Sequence, residues 1–186
     1  MNILEYLSSH YHLTHSAVEI LNNVFKPVQI KKGTVLQLEN TSDKYWYIMR
    51  EGLIKSCFSR EGRERILSFY WEGDPIIVPV TQYDRLKVSL VAVEDSIVCY
   101  ASKKEFEDSM KNNTELCYMG YQAVCQYVKL MSDDYLNFLW MNKTDIYKLL
   151  MSKHPDVIQR IPQKDIAAYL NITEQSLSRI RASIKD

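Results

Sequence analysis

Apolar positions along the chain fall into three textures, and each predicts a different kind of element. Near the start, Val18, Ile20, Leu21, Val24 and Phe25 recur at helical spacing and predict a short amphipathic helix ending before Pro27. From Val28 to Tyr100 the runs VQIKKGTVLQL, KYWYIMREGLIKSCFS, ERILSFYW, LKVSLVAV and SIVCYAS are rich in β-branched and aromatic residues. Turn signals separate them: Gly33, Glu39-Asn40, Glu51-Gly52, Glu61-Gly62, Gly73-Asp74-Pro75 and Glu94-Asp95. Many short strands at nearly regular spacing predict an antiparallel barrel or jelly roll. Helical spacing then returns, with a short helix over Lys103 to Met110, a long one from about Thr114 to Phe138, and another short one from Trp140 to His154.

The long helix carries two apolar stripes. Cys117, Tyr121, Val124, Val128, Met131, Tyr135 and Phe138 alternate at spacings of four and three, the heptad-like seam of a helix lying along a partner. Leu116, Met119, Ala123, Leu130 and Leu139 add apolar positions around the circumference. Such a helix must bury more than one side, for example against its own barrel and against a second subunit. At 1.5 Å per residue it spans about 37 Å, enough to cross a subunit and align a partner. A homodimer is the expectation.

The last two dozen residues, IPQKDIAAYLNITEQSLSRIRASI, match a helix-turn-helix position by position. Ile166, Leu170, Ile172, Leu177 and Ile180 are the apolar residues that two short crossing helices must bury. Ala167 is small enough for close approach. Asn171 sits at the turn and tolerates a left-handed backbone. Pro162 suits a first helical position, and Thr173 can cap the second helix. That helix presents Gln175, Ser178, Arg179 and Ala182 opposite Leu177, Ile180 and Ile184. Gln175, Ser178 and Arg179 are therefore the candidates for reading base edges in a major groove, with Arg179 suited to guanine and Gln175 to adenine. Lys164, Thr173, Ser176, Arg181 and Lys185 are the candidates for phosphate contacts, which position without specifying sequence.

Composition changes this picture little. Of 186 residues, 46% are hydrophobic and 25% charged, values of an ordinary globular protein with room for one large or two small domains. Net charge is zero, yet Arg160, Lys164, Arg179, Arg181 and Lys185 face only Asp165 and Glu174 across the C-terminal segment. That local surplus suits double-stranded DNA, although a patch this small needs a second copy to bind well. No run approaches the ~20 apolar residues of a membrane span, and the N-terminus lacks a basic-then-apolar leader, so a cytoplasmic location is expected. Cys57, Cys99, Cys117 and Cys125 show no metal-ligand spacing and read as buried thiols, with no metal or cofactor expected.

With barrel, long helix and C-terminal helix-turn-helix in that order, the chain resembles the cyclic-AMP receptor/FNR superfamily of bacterial transcription regulators. The resemblance runs through Lys32-Gly33-Thr34-Val35-Leu36, Tyr47-Ile48, Glu51-Gly52-Leu53-Ile54-Lys55, Glu61-Gly62-Arg63-Glu64 and Ile66-Leu67-Ser68-Phe69. It continues at Glu72-Gly73-Asp74 and Ala92-Val93-Glu94-Asp95-Ser96. Pro162 to Leu170 and Leu177-Ser178-Arg179-Ile180-Arg181 are similar to the form typical of Bacteroidetes members. It implies an α+β fold: an antiparallel jelly-roll, cyclic-nucleotide-binding-like domain over residues 1–112, a dimerisation helix over 113–139, and a DNA-binding helix-turn-helix over 140–186. RNA polymerase is the further partner it implies.

The resemblance departs at the ligand cassette. Members that hold cyclic AMP carry a Gly-Glu-Leu helix start and a later Arg-Ser or Arg-Thr pair; here Ile77, Val78 and Pro79 stand in the first positions, and Val88 precedes Ser89. Pro79 removes a donor, Val88 offers no charge, and the nearby Arg85 and Lys87 occupy other positions. Cyclic-nucleotide binding is not expected. Nor is iron–sulfur sensing, since no clustered N-terminal cysteines occur. A small-molecule effector could instead occupy a barrel pocket lined by Tyr45, Tyr47, Phe69, Tyr70, Trp71, Val78, Val88 and Ser89. A metal-dependent jelly-roll enzyme would need His or carboxylate clusters on strands, and His10, His12, His15 and His154 all lie outside the barrel run.

Overall fold

The computed structural model describes residues 7, 10–37, 44–60, 62–77 and 88–185, except for the side chains of residues 60, 63 and 185. Helix α1 (His15–Val24) leads into eight strands: β1 (Lys26–Ile30), β2 (Val35–Gln37), β3 (Tyr45–Glu51), β4 (Ile54–Arg60), β5 (Arg63–Tyr70), β6 (Pro75–Ile76), β7 (Ser89–Ala92) and β8 (Ser96–Ser102). Helices α2 (Lys103–Lys111), α3 (Thr114–Trp140), α4 (Lys143–Lys153), α5 (Val157–Arg160), α6 (Gln163–Leu170) and α7 (Glu174–Lys185) complete the chain. The strands form two antiparallel four-stranded sheets, ordered β1-β8-β3-β6 and β2-β7-β4-β5, the double-sheet arrangement of a jelly roll.

Three local differences from the sequence pattern have simple causes. Pro75, the last residue of the predicted turn, and Ile76 pair with Ile48 and Tyr47 as an edge strand, where proline's missing N–H is tolerated. Trp140 ends α3 instead of starting α4, because the Asn142 side chain accepts from Asp145 N and caps α4 there. The short α5 follows a turn whose sequence carries no apolar period. The turn at Glu39-Asn40 and residues Val78, Pro79, Arg85 and Lys87 lie outside the described residues.

Strand alternation distributes the core over three places. Tyr47, Met49, Ile54, Tyr70, Ile76, Leu90, Ala92 and Val98 meet between the sheets. Leu21, Phe25, Cys99, Ala101, Phe106, Leu116 and Met119 join α1, α2 and the start of α3 to the outer face of the first sheet. The outer face of the second sheet carries Leu53, Cys57, Ile66, Phe69, Trp71 and Val93, and these pack against Tyr147, Leu150, Val157, Ile161, Ile166, Leu170 and Leu177 of the C-terminal helices. Ile66 and Phe69 are three residues apart yet share that face. A bulge makes this so: Cys57 pairs with Ile66 while Ser56 pairs with Ser68, leaving Leu67 as the extra residue.

Gly52 has φ +94, and a Cβ there would lie 2.3 Å from Ser96 Oγ, so only glycine fits beside the β7–β8 turn. After β5, Asp74 Oδ2 accepts from Trp71 N at 2.8 Å. Burial, aided by the neighbouring Glu72 charge, pushes this carboxyl up to about 6 against the pull of that N–H. The folded state thus favours the protonated acid. Its contribution is present below the unfolded value near 3.9 and is lost as pH rises through about 6. Asp74→Asn, which keeps an acceptor for Trp71 N, is expected to stabilise the protein by ~2 kcal/mol at pH 8 and to flatten the stability profile between pH 4 and 6. Urea unfolding at both ends of that range checks it; a variant weaker than the parent at pH 8 would contradict the sign.

Candidate nucleic-acid interface

Helices α6 and α7 meet across a tight turn. Pro162 precedes the first helical residue instead of occupying it, and its carbonyl accepts from Asp165 N at 2.9 Å and Ile166 N at 3.2 Å. Asn171 takes the left-handed conformation expected of it, φ 56 and ψ 43, and closes α6 with its N–H on the Ala167 and Ala168 carbonyls. Thr173 Oγ1 then accepts from Ser176 N at 3.1 Å, capping α7. Ile166, Ala167, Leu170 and Leu177 are buried where the helices cross, with Ile172, Ile180 and Ile184 partly buried around them.

With one face of α7 committed to the core, the other is open. Gln175, Ser178 and Arg179 are exposed on it, and Lys164 and Thr173 lie exposed nearby. Ser176 and Arg181 are half-buried; the side chain of Lys185 is outside the described residues. One residue was not expected at this surface. Gln163 Nε2 reaches from the start of α6 to Ser178 Oγ at 2.9 Å and to the Glu174 carbonyl at 3.5 Å. As the first residue of α6 it carries no periodic signal, so only the crossing of the helices brings it there.

The charges behind this surface are used differently from the sequence count. Arg160 does not belong to the open patch. Its Nη2 donates to Glu72 Oε1 and Glu94 Oε1 at 2.6 Å each and to the Gly52 carbonyl at 3.0 Å, while Nη1 meets Asp156 at 3.2 Å. Burial works against its charge, but the bonds to Glu72, Glu94 and Asp156 outweigh it and hold the guanidinium protonated beyond its ordinary range. Glu72 in turn is disfavoured by burial yet held below the usual carboxylate range by Arg160. Asp165 is 4% exposed and receives Lys55 Nζ of strand β4 at 3.0 Å; Lys55, 7% exposed, also reaches Glu64 at 2.8 Å. Lys164, Arg179 and Arg181 remain as the described cations of the helix pair, against an exposed Glu174.

The eight residues predicted to line a barrel pocket do not share one surface. Tyr47 and Tyr70 face the space between the sheets, and Tyr45 packs its ring 6.3 Å from Tyr47 and 5.8 Å from Tyr100. Tyr70 donates to the Ile77 carbonyl at 2.7 Å, and burial pushes its phenol up to about 12. Val88 is buried and Ser89 half-buried at β7, while Val78 is outside the described residues. Phe69 and Trp71 are on the opposite face, as strand alternation on either side of Tyr70 requires. Phe69 meets the Tyr169 ring at 5.5 Å, and Trp71 stacks on His154 at 3.8 Å.

The seam residues of α3 lie together on its outward side. Tyr121, Val124, Val128, Met131, Tyr135 and Phe138 are each between 44% and 64% exposed, and Cys117 is exposed with them. Leu116 and Met119 face inward and are buried. Only Cys57 and Cys99 match the expectation of buried thiols; Cys117 and Cys125 stand out from α3 because their part of the circumference faces away from the barrel. Among the described residues no cluster of His, Cys, Asp or Glu is arranged to hold a metal ion, and no helix is long and apolar enough to cross a membrane.

A family model for the cyclic nucleotide-binding domain matches residues 27–113, the barrel and the helix after it. This segment is similar to that family. Beyond this cyclic nucleotide-binding domain, the chain is similar in fold to FixK2 from Bradyrhizobium japonicum, at 17% identity and TM-score 0.68, over 87% of this chain and 85% of that one. It is also similar to a transcriptional regulator of the Crp/Fnr family from Eubacterium rectale (15%, TM-score 0.68, 94% and 84%). A third likeness is to the c-di-GMP responsive global regulator CLP of Xanthomonas campestris (13%, TM-score 0.69, 92% of each chain). No curated protein matches the sequence significantly. The barrel segment therefore agrees with the cyclic-nucleotide-binding-like domain expected from the sequence, and the three solved structures share the fold of the chain.

Proposed function

We propose that this protein is a sequence-specific DNA-binding transcription regulator that acts as a homodimer, not an enzyme. One observation carries the reading: Gln175, Ser178 and Arg179 stand exposed on the outer face of α7, while the opposite face is anchored by fully buried Leu177. A helix held in this way can enter a major groove with its polar face leading. Residues 140–186 serve as the DNA-binding helix-turn-helix, 113–139 as the dimerisation helix and 1–112 as the barrel domain. Lys164, Thr173, Ser176, Arg181 and Lys185 contact phosphates. The protein works in the cytoplasm and engages RNA polymerase at the promoters it controls.

The barrel does not bind cyclic AMP, since Val88 is buried and uncharged where a phosphate-binding arginine would be needed. A second reading, compatible with the first, makes the barrel the sensor of another small molecule. The tyrosine group Tyr45, Tyr47 and Tyr100 favours it, because the Tyr47 and Tyr100 rings pack 6.3 Å and 5.8 Å from that of Tyr45 beside the core between the sheets.

Selection of genomic fragments bound by the purified protein tests DNA binding and returns the operator. On that operator, Arg179→Ala is expected to lose about 1–3 kcal/mol and to relax preference at one base position, with cyclic AMP changing neither value. Equal loss on every sequence would reduce Arg179 to a phosphate contact.

A further inference from the structure

We infer that Arg160 and Lys55 are positioning residues that fix the helix pair α6–α7 on its own barrel and thereby set the spacing between the two DNA half-sites that a dimer accepts. The inference rests on the dimeric DNA-binding reading above and specifies what sets its geometry. Apolar contact alone would hold the helix pair against the second sheet without fixing its orientation, because hydrophobic attraction has no direction. The polar contacts supply direction. Arg160 sits two residues before Pro162 and bonds three separate barrel turns at once: Gly52 before β4, Glu72 after β5 and Glu94 after β7. A planar guanidinium with donors in a rigid fork satisfies all three in only one orientation.

The second anchor lies on the face of the same sheet. Lys55 Nζ meets Asp165, in the first turn of α6, at 3.0 Å, with both side chains nearly excluded from water. A shift of α6 along β5 would leave one or both charges buried without a partner, so sliding is strongly opposed. Two ring contacts define the remaining directions: Phe69 with Tyr169 and Trp71 with His154. Anchors at both the approach to α6 and its first turn, together with rings on either side, hold the pair as a rigid part of the barrel. Only Met141 and Asn142 separate α3 from α4, so no long linker loosens the arrangement. In a dimer joined along α3, the distance between the two α7 helices is then set by these contacts. That distance must match half-sites about 34 Å apart, or a multiple of it.

The test uses full-length protein and a set of duplexes carrying the selected half-sites with the spacer lengthened or shortened by one and two base pairs. Two variants break the contact from opposite domains: Arg160→Gln in the helical part, and Glu72→Gln with Glu94→Gln in the barrel. The parent protein is expected to lose at least about tenfold in affinity for each added or removed base pair, because each one both rotates and displaces a half-site. Both variants should bind the whole set within about threefold, with base preference inside each half-site unchanged, and their radius of gyration in small-angle scattering should rise as the pair undocks. Rescue by Arg160→Lys should be poor, since one ammonium cannot serve three separated acceptors. An unaltered spacing profile in both variants, a uniform loss on every duplex, or tighter binding than the parent at the original spacing would each overturn the inference. If the parent binds no duplex while scattering still detects undocking in the variants, the DNA-binding reading fails and the docking role survives on its own.

Discussion

Replacing Asp165 with alanine is expected to destabilise the protein by about 3 kcal/mol, among the largest single effects available in this fold. The reason is what remains behind. Lys55 is 7% exposed on strand β4, and its ammonium loses the buried one of its two carboxylate partners. Glu64 still reaches it, which keeps the loss towards the lower end for a broken buried pair. Burial opposes the charge of Lys55, and only the bonds to Glu64 and Asp165 keep its pKa above the ordinary lysine value. This stabilisation is present below the unfolded lysine value near 10.4 and is lost as pH rises beyond it, so the deficit should be constant between pH 6 and 8. Exchanging both partners, Lys55→Met with Asp165→Leu, should recover most of the deficit, because apolar groups of similar size need no compensation there. Urea unfolding of the two variants decides the matter; a loss under ~1 kcal/mol for Asp165→Ala would show that water reaches Lys55 easily.

Aspartate at two seam positions, Val128→Asp with Tyr135→Asp, is expected to convert the protein to a monomer at micromolar concentration and to weaken operator binding by at least about a hundredfold. The two side chains are 57% and 64% exposed on α3 and contribute little to the core of their own subunit. Their replacement should therefore leave the melting temperature of the monomeric fold almost unchanged. Burying a side chain of this kind between two helices contributes ~1.5–3 kcal/mol, and each of these substitutions both removes that term and places a charge in the seam. Half-site binding by separate monomers lacks the effective concentration that joins two weak patches into one tight contact. Sedimentation velocity together with a binding titration checks both parts. A variant that still sediments as a dimer would move the subunit interface away from α3.

Much of the architecture is legible in one dimension because its causes are local. The left-handed turn at Asn171, the Thr173 cap and the crossing residues Ile166, Ala167, Leu170 and Leu177 are each set by neighbours within a few positions, and all take their expected places. On α3 the helical period sets the outward seam, but burial of the second stripe also depends on what lies beside it: Leu116 and Met119 pack on the barrel, whereas Leu130 and Leu139 further along are 49% and 57% exposed. Errors arise where a face, not an element, has to be chosen. The aromatic run Phe69-Tyr70-Trp71 reads as one group in sequence, but alternation sends Tyr70 between the sheets and its neighbours towards the helices. The bulge at Leu67 is likewise invisible in composition, although it decides which residues meet α6.

From the order of residues alone come the barrel strands, the long two-sided helix and the C-terminal pair with its polar outer face, since periodicity and capping act over short stretches of chain. Only the folded arrangement reveals that Arg160 and Asp165 belong to the barrel contact and not to the open basic patch. Their partners Glu72, Glu94 and Lys55 lie 66 to 110 positions away, a separation at which no local propensity operates. Such pairs exist because burying apolar surface brings two distant segments together, and a charge trapped between them must then find its opposite.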